Sequence, residues 1–227
     1  VRNDRVIWAT SMVACGDADG AVTGNTRRFG ASLDKIKQVV DVRDGEIMFG
    51  LNMVVHKGKT IFVGDTSVHE YPTSKQMAEM AISTARVVRL FGFDPRVAFV
   101  SHSTFGQPLT SRTKHIRDAV DILRERKVDF EFDGDMQPDV ALNPEYGELY
   151  PFSKIVGKAN ILIMPGQHSA AISYKMMKTL GDTKVIGPLL IGLGLPIEIA
   201  PLRSSTSELI NLASIAAYSA DVIDYKK

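Results

Sequence analysis

Residues 97–106 constrain this chain most, because the apolar run Val97-Ala98-Phe99-Val100 breaks at once into Ser101-His102-Ser103-Thr104-Phe105-Gly106. A short apolar run of this kind suits a strand buried on both faces, and the polar continuation suits a loop at its carboxyl end. In open α/β sheets such strand ends are where backbone amides and loop side chains converge on ligands, anions above all. The flanks agree. Thr73 to Phe91 carries Met77, Met80, Ala81, Val87, Val88 and Phe91 at a helical period and stops at Gly92, while Ile116, Ala119, Val120 and Leu123 mark a second amphipathic helix. Helix, strand, polar loop, helix predicts an α/β chain with a parallel sheet. The alternative for Ser101, Ser103 and Thr104 is that these hydroxyls satisfy their own loop.

Further strands read from Asp17–Gly24, from a hairpin of Glu46–Val55 (Ile47, Phe49, Leu51, Met53 and Val55 on one face) with Thr60–Val63, from Phe130 into the acidic loop to Asp139, from Asn160–Met164, and from Ile197–Ala200. Ser11–Gly16 reads as a helix end. Ser169–Leu180 reads as a helix with Ala170, Ala171, Tyr174, Met177 and Leu180 inward, and Ser205 with Glu208 has capping-box spacing before a last helix. The only hints of a domain boundary are glycine-rich crossings near Asp44-Gly45 and Ile186–Gly194. The chain opens on Val1, already in patterned sequence, and reads as part of something longer.

Several function classes drop out. With 27 Lys plus Arg against 26 acids in 227 residues there is no overall field for nucleic acid or an anionic membrane. Glycines, prolines and Glu198 interrupt the most apolar stretch, Ile186–Pro201, so it is no membrane span. One cysteine, Cys15, allows no internal disulfide, fits a reducing cytoplasm, and reads as a buried small side chain. The five histidines include no pair at metal-ligand spacing, and Gly64-Asp65-Thr66-Ser67-Val68-His69 shows no Asp-Ser-His logic. Arg27 and Arg28, beside Gly24, Asn25 and Thr26, suit a phosphate or else form a solvated basic loop. Lys175 lies on the polar side of its helix and could bind phosphate as a point charge.

Taken in order, Gly16-Asp17-Ala18-Asp19, Asp65–Thr73, Ser101–Gly106, Asp133-Gly134-Asp135-Met136-Gln137-Pro138-Asp139, Tyr174-Lys175 and Ile186–Leu193 resemble the phosphate acetyltransferase and butyryltransferase family. The resemblance covers essentially the whole chain. It implies a two-domain, phosphotransacetylase-like α/β fold (isocitrate/isopropylmalate dehydrogenase-like) with an interdomain cleft, lacking the amino-terminal part of its first domain. Residues 1–44 and 191–227 would form the first domain and 45–190 the second. It also implies a homodimer or higher homo-oligomer and an acyl-CoA ligand, held by Thr23, Arg27, Arg28, Ser103, Thr104, Lys175, Ser204 and Ser205.

Active members carry a Leu-Ser-Arg-Gly-x-Ser-x-x-Asp pattern before the final helix. In register, the Ser, Arg and Asp positions here are Pro201, Leu202 and Glu208. A one-residue slip would put Arg203 near the Arg position instead. Gly24–Arg28 and Tyr150–Lys158 are similar to the carboxyl-terminal, phosphotransacetylase-like part of bacterial NADP-dependent malic enzymes. That resemblance implies an acetyl-CoA-binding regulatory module without catalytic residues, with no cofactor or metal of its own. NADP and a divalent metal are expected only in a malic-enzyme half. An active phosphate acetyltransferase, making acetyl phosphate and CoA from acetyl-CoA and phosphate, is the alternative, and a purely structural dimerisation domain a third.

Overall fold

The computed structural model describes residues 3–223 and 225; Val1 lies outside them. Helix α1 (Arg5–Cys15) starts where the Asp4 carboxylate accepts the amides of Val6 and Ile7, and stops at Gly16 in the left-handed region. Strand β1 (Ala21–Gly24) and helix α2 (Phe29–Ile36) follow. Strands β2 (Phe49–His56) and β3 (Lys59–Gly64) are neighbours joined by Lys57-Gly58, both at positive φ, as a two-residue hairpin turn requires. Then come α3 (Ser74–Leu90), β4 (Arg96–Val100), α4 (Ser111–Arg126), β5 (Glu131–Met136), α5 (Pro138–Leu142), β6 (Ile161–Ile163) and α6 (Gln167–Leu180). The chain closes with β7 (Thr183–Ile191), β8 (Ile197–Ala200) and α7 (Thr206–Val222). Capping boxes at Thr73/Gln76, Thr110/Thr113 and Ser205/Glu208 fix the starts of α3, α4 and α7.

The chain divides into two compact units, Val1–Leu51 with Ile186–Lys227, and Asn52–Val185. The boundaries fall inside β2 and β7, a few residues from the glycine-rich crossings at Asp44-Gly45 and Ile186–Gly194. In the first unit β1 and β8 form a parallel pair in register Ala21↔Ile197 to Gly24↔Ala200. In the second, β4 runs parallel to β5 and β6, and β6 parallel to β3, in a sheet of order β5-β4-β6-β3-β2-β7. The carboxyl ends of β3, β4 and β6 therefore open on one edge of the sheet. Alternate residues take opposite faces: Ala98, Val100, Val63 and Leu162 join a core with Ala170 and Met177 of α6. Phe62, Phe99 and Ile161 are wholly buried on the other face, where α3 packs on β3, β4 and β6.

Four sequence expectations change. Cys15 is exposed, because it is the last residue of α1 and the chain turns away at Gly16. Leu180, the last residue of α6, is 81% exposed rather than inward. In β2 the burial does not alternate: Gly50 and Asn52 are as buried as Phe49 and Leu51, because β2 is an interior strand between β3 and β7. The Ile186–Leu193 crossing is largely the strand β7, despite Gly187 and Pro188.

Gly24 ends β1 at φ +94, and a Cβ there would meet the carbonyl oxygen of Ala200 on the paired strand. Gly24→Ala is expected to cost about 2–3 kcal/mol, from left-handed strain plus the backbone clash, read as a lower denaturant midpoint at unchanged slope.

Candidate functional site

In the first unit the loops that leave β1 and β8 are tied together. The Asn25 amide donates to the Ala200 carbonyl at 3.0 Å, and the Arg203 amide donates to the Asn25 carbonyl at 3.0 Å. Two helices begin here, α2 after Arg28 and α7 after Ser205. Thr23 Oγ1 and Asn25 Oδ1 are buried beneath these loops without a hydrogen-bond partner. Unpaired buried oxygens are costly, and a donor-bearing ligand would relieve them. Arg28 is exposed at the start of α2, which has no side-chain cap. Arg27 is already used: its guanidinium sits 3.0 Å from Asp4 and holds that carboxyl below its ordinary value. Ser204 Oγ donates to the Pro201 carbonyl at 2.9 Å, and Ser205 with Glu208 completes the α7 cap, so these side chains have local jobs. Pro201 and Leu202 fill the turn, with Leu202 half-exposed, and Arg203 stands at φ +59.

In the second unit Ser103 and Thr104 are also engaged, by residues at the carboxyl end of β5. Ser103 Oγ donates to the wholly buried Asp135 carboxylate, whose other oxygen accepts the Gly106 amide at 3.0 Å. Thr104 Oγ1 accepts the Gln137 amide at 3.3 Å. What faces open space is the neighbouring pair Ser101 and His102. They line a cavity of about 560 Å³ at the carboxyl ends of β3, β4 and β6, together with Tyr71, Arg112 and Ser169. Lys175 lies elsewhere, exposed on α6 about 9 Å along the helix axis from Ser169.

Three chemically notable arrangements escaped the sequence reading, although it named their residues. Asp65, wholly buried, accepts the amides of Ser67, Val68 and His69 and sits 2.7 Å from His69 Nδ1. A carboxylate only accepts, so His69 Nδ1 carries a proton in this contact. This corrects the dismissal of residues 64–69 in part: there is an Asp-His pair, made by one tight turn. Asp135 is the second; its link to Ser103 spans 32 residues, beyond any local signal. The third is Glu198, buried in β8, where burial pushes its carboxyl up to about 8 against one compensating amide, Leu190 N–H at 2.9 Å. Among the described residues no group of three or more His, Cys, Asp or Glu is placed to hold a metal ion, and no helix is long and apolar enough to cross a membrane.

Comparison with known proteins gives concordant matches. The profile of the family described as phosphate acetyl/butaryl transferase matches residues 1–217. The NADP-dependent malic enzyme of Rhizobium meliloti (strain 1021) is 46% identical over 220 residues, 97% of this chain but 29% of that enzyme. The phosphate acetyltransferase of Bacillus subtilis (strain 168) is 31% identical over 219 residues, 96% of this chain and 68% of that enzyme. A phosphotransacetylase from Streptococcus pyogenes has a matching structure, with a TM-score of 0.89 at 29% identity, over 95% of this chain and 67% of its own. The chain thus spans under a third of the malic enzyme and about two thirds of the transferases.

Proposed function

The chain belongs to the phosphate acetyl/butaryl transferase family, and on that premise we propose that it is the phosphotransacetylase-like regulatory part of a larger NADP-dependent malic enzyme, binding acetyl-CoA without transferring its acetyl group. The observation that carries this reading is the turn between β8 and α7. Arg203 holds φ +59, the left-handed conformation that favours glycine, and the transferase pattern has glycine at that position. Ser205 caps α7 where the pattern has its second serine. Both support the in-register alignment over a one-residue slip, and in that register the serine and arginine that would act on thiol and phosphate are Pro201 and Leu202. A module that keeps a ligand site and loses its chemistry suits regulation, which needs only a difference in affinity between two states of the larger protein. The 46% identity to a malic enzyme supports the larger context. The second reading, an active transferase, is favoured by the match to 68% of the Bacillus subtilis enzyme.

Calorimetric titration with acetyl-CoA tests the binding half. Saturable heat that weakens as salt rises is expected, because phosphates would be met by exposed cations. Arg28→Ala should weaken binding about 5-fold, the size of one partly exposed charge-assisted contact. Arg27→Ala should do less, since Arg27 is engaged by Asp4. No heat, or an affinity indifferent to Arg28, would overturn the assignment.

A further inference from the structure

Two helices carry an apolar face that the chain leaves uncovered. Of the 14 residues of α6 only Ala170 is buried, with Tyr174 and Met177 partly packed against the same core. On another side of this helix Ile172, Met176 and Leu180 follow one another at four-residue intervals, and each is more than half exposed. A surface helix normally turns one apolar stripe to the core and polar residues to water, so α6 has a second stripe on its solvent side. Helix α7 repeats the pattern. Of its 17 residues only Leu212 and Ala216 are buried. From Ile210 to Asp221 its exposed positions are Ile210, Ala213, Ser214, Ala217, Tyr218 and Asp221, which lie along one helical face. Contiguous exposed apolar surface of this kind marks an interaction site.

The two faces complement each other in charge. Helix α6 carries Lys175 and Lys178 and no acid, while α7 carries Glu208 and Asp221 and no base. Two copies of α6 would bring four lysines and no carboxylate into one contact, and two copies of α7 the reverse, whereas α6 against α7 sets cations beside anions. Shape gives the same answer. The α6 stripe is bulky at its middle, Met176, whereas the α7 face is bulky at Ile210 and Tyr218 and small between them, at Ala213, Ser214 and Ala217. A ridge of side chains four residues apart packs into the groove of a facing helix, and Met176 suits the gap between Ile210 and Tyr218. Both faces are open to solvent in the single chain, so the helix that covers each belongs to another copy.

We propose that copies of this chain associate by packing the Ile172, Met176 and Leu180 face of α6 on the Ile210 and Tyr218 face of α7 in a second copy. The contact uses none of Thr23, Asn25, Arg28, Pro201 and Leu202, and it stands whether or not acetyl-CoA binds.

Sedimentation velocity of the purified chain over a range of concentrations tests this, with Met176→Glu and Ile210→Lys as variants. Both positions are exposed, so each variant should keep the parental melting temperature. The parent is expected to self-associate. Each variant alone should associate at least ~10-fold more weakly, because its new charge would be buried in the contact beside charges of its own sign. An equimolar mixture of the two should associate again, since α6 of the Ile210→Lys chain and α7 of the Met176→Glu chain are both intact. A parent that stays monomeric, or a mixture that does, would overturn the assignment. So would association weakened by Met176→Glu alone, which means α6 on α6, or by Ile210→Lys alone, which means α7 on α7. Association indifferent to both variants places the contact elsewhere and overturns it too.

Discussion

Acetyl-CoA and inorganic phosphate should yield almost no acetyl phosphate, even in a polypeptide as long as the solved relative, of which this chain covers 67%. Each preorganised group that stabilises developing charge is worth about 10²–10³ in rate, so the loss of both is expected to put turnover at least ~10⁴-fold below an active transferase. Neither Pro201 nor Leu202 can take a thiol proton or offset charge on a phosphate. Removing interactions made only in the transition state leaves ground-state affinity in place, so acetyl-CoA should still bind. A coupled assay for acetyl phosphate, run on protein already shown to bind acetyl-CoA, reads both. Robust turnover that survives Arg203→Ala and Glu208→Ala would mean that the last turn is aligned wrongly.

Folding stability should fall as the pH rises from about 4.5 to about 8, and Glu198→Gln should abolish most of that fall. The buried carboxyl keeps its proton up to about 8 in the folded chain but loses it near 4.5 when unfolded. Between those values the folded form binds more protons, so each pH unit upward costs about 1.4 kcal/mol; below the window both states are protonated and above it both are ionised. The full difference is about 3–5 kcal/mol. Tyr225, in whose field Glu198 stands, is pushed up to about 12 and does not titrate in this range. A glutamine can keep the Leu190 amide as a donor, so the variant should match the parent near pH 4.5 and exceed it by that amount above pH 8. Denaturant midpoints measured from pH 4.5 to 8.5 decide it, and parallel profiles for the two proteins would refute the assignment.

The elements that were legible in the sequence are those whose signals are local. Val97–Val100 reads as a buried strand because both faces are apolar, and Thr73, Ser205 and Glu208 mark helix starts because capping is settled within four residues. β7 was not legible, since Gly187 and Pro188 interrupt the β pattern and the strand is held by its place in the sheet. At the candidate sites the residue types were legible but their directions were not. Ser103 and Thr104 look like ligand hydroxyls, and only folding, which brings Asp135 and Gln137 against them, turns them inward and leaves Ser101 facing open space. Asp65 and His69 are neighbours in sequence, but their contact depends on a turn with no periodic signature.

The pairing of β1 with β8 sets a schedule for synthesis. Ala21 meets Ile197, so the strand that completes β1 is made about 175 residues after it. At ~5–20 residues per second the first half of that unit waits roughly 10–35 s on the ribosome for its partner. Residues 52–185 form an uninterrupted unit that emerges entirely within the wait. Through that interval the apolar side of α2, with Leu33 and Ile36, has no β8 beside it, and this is when the nascent chain most needs a chaperone.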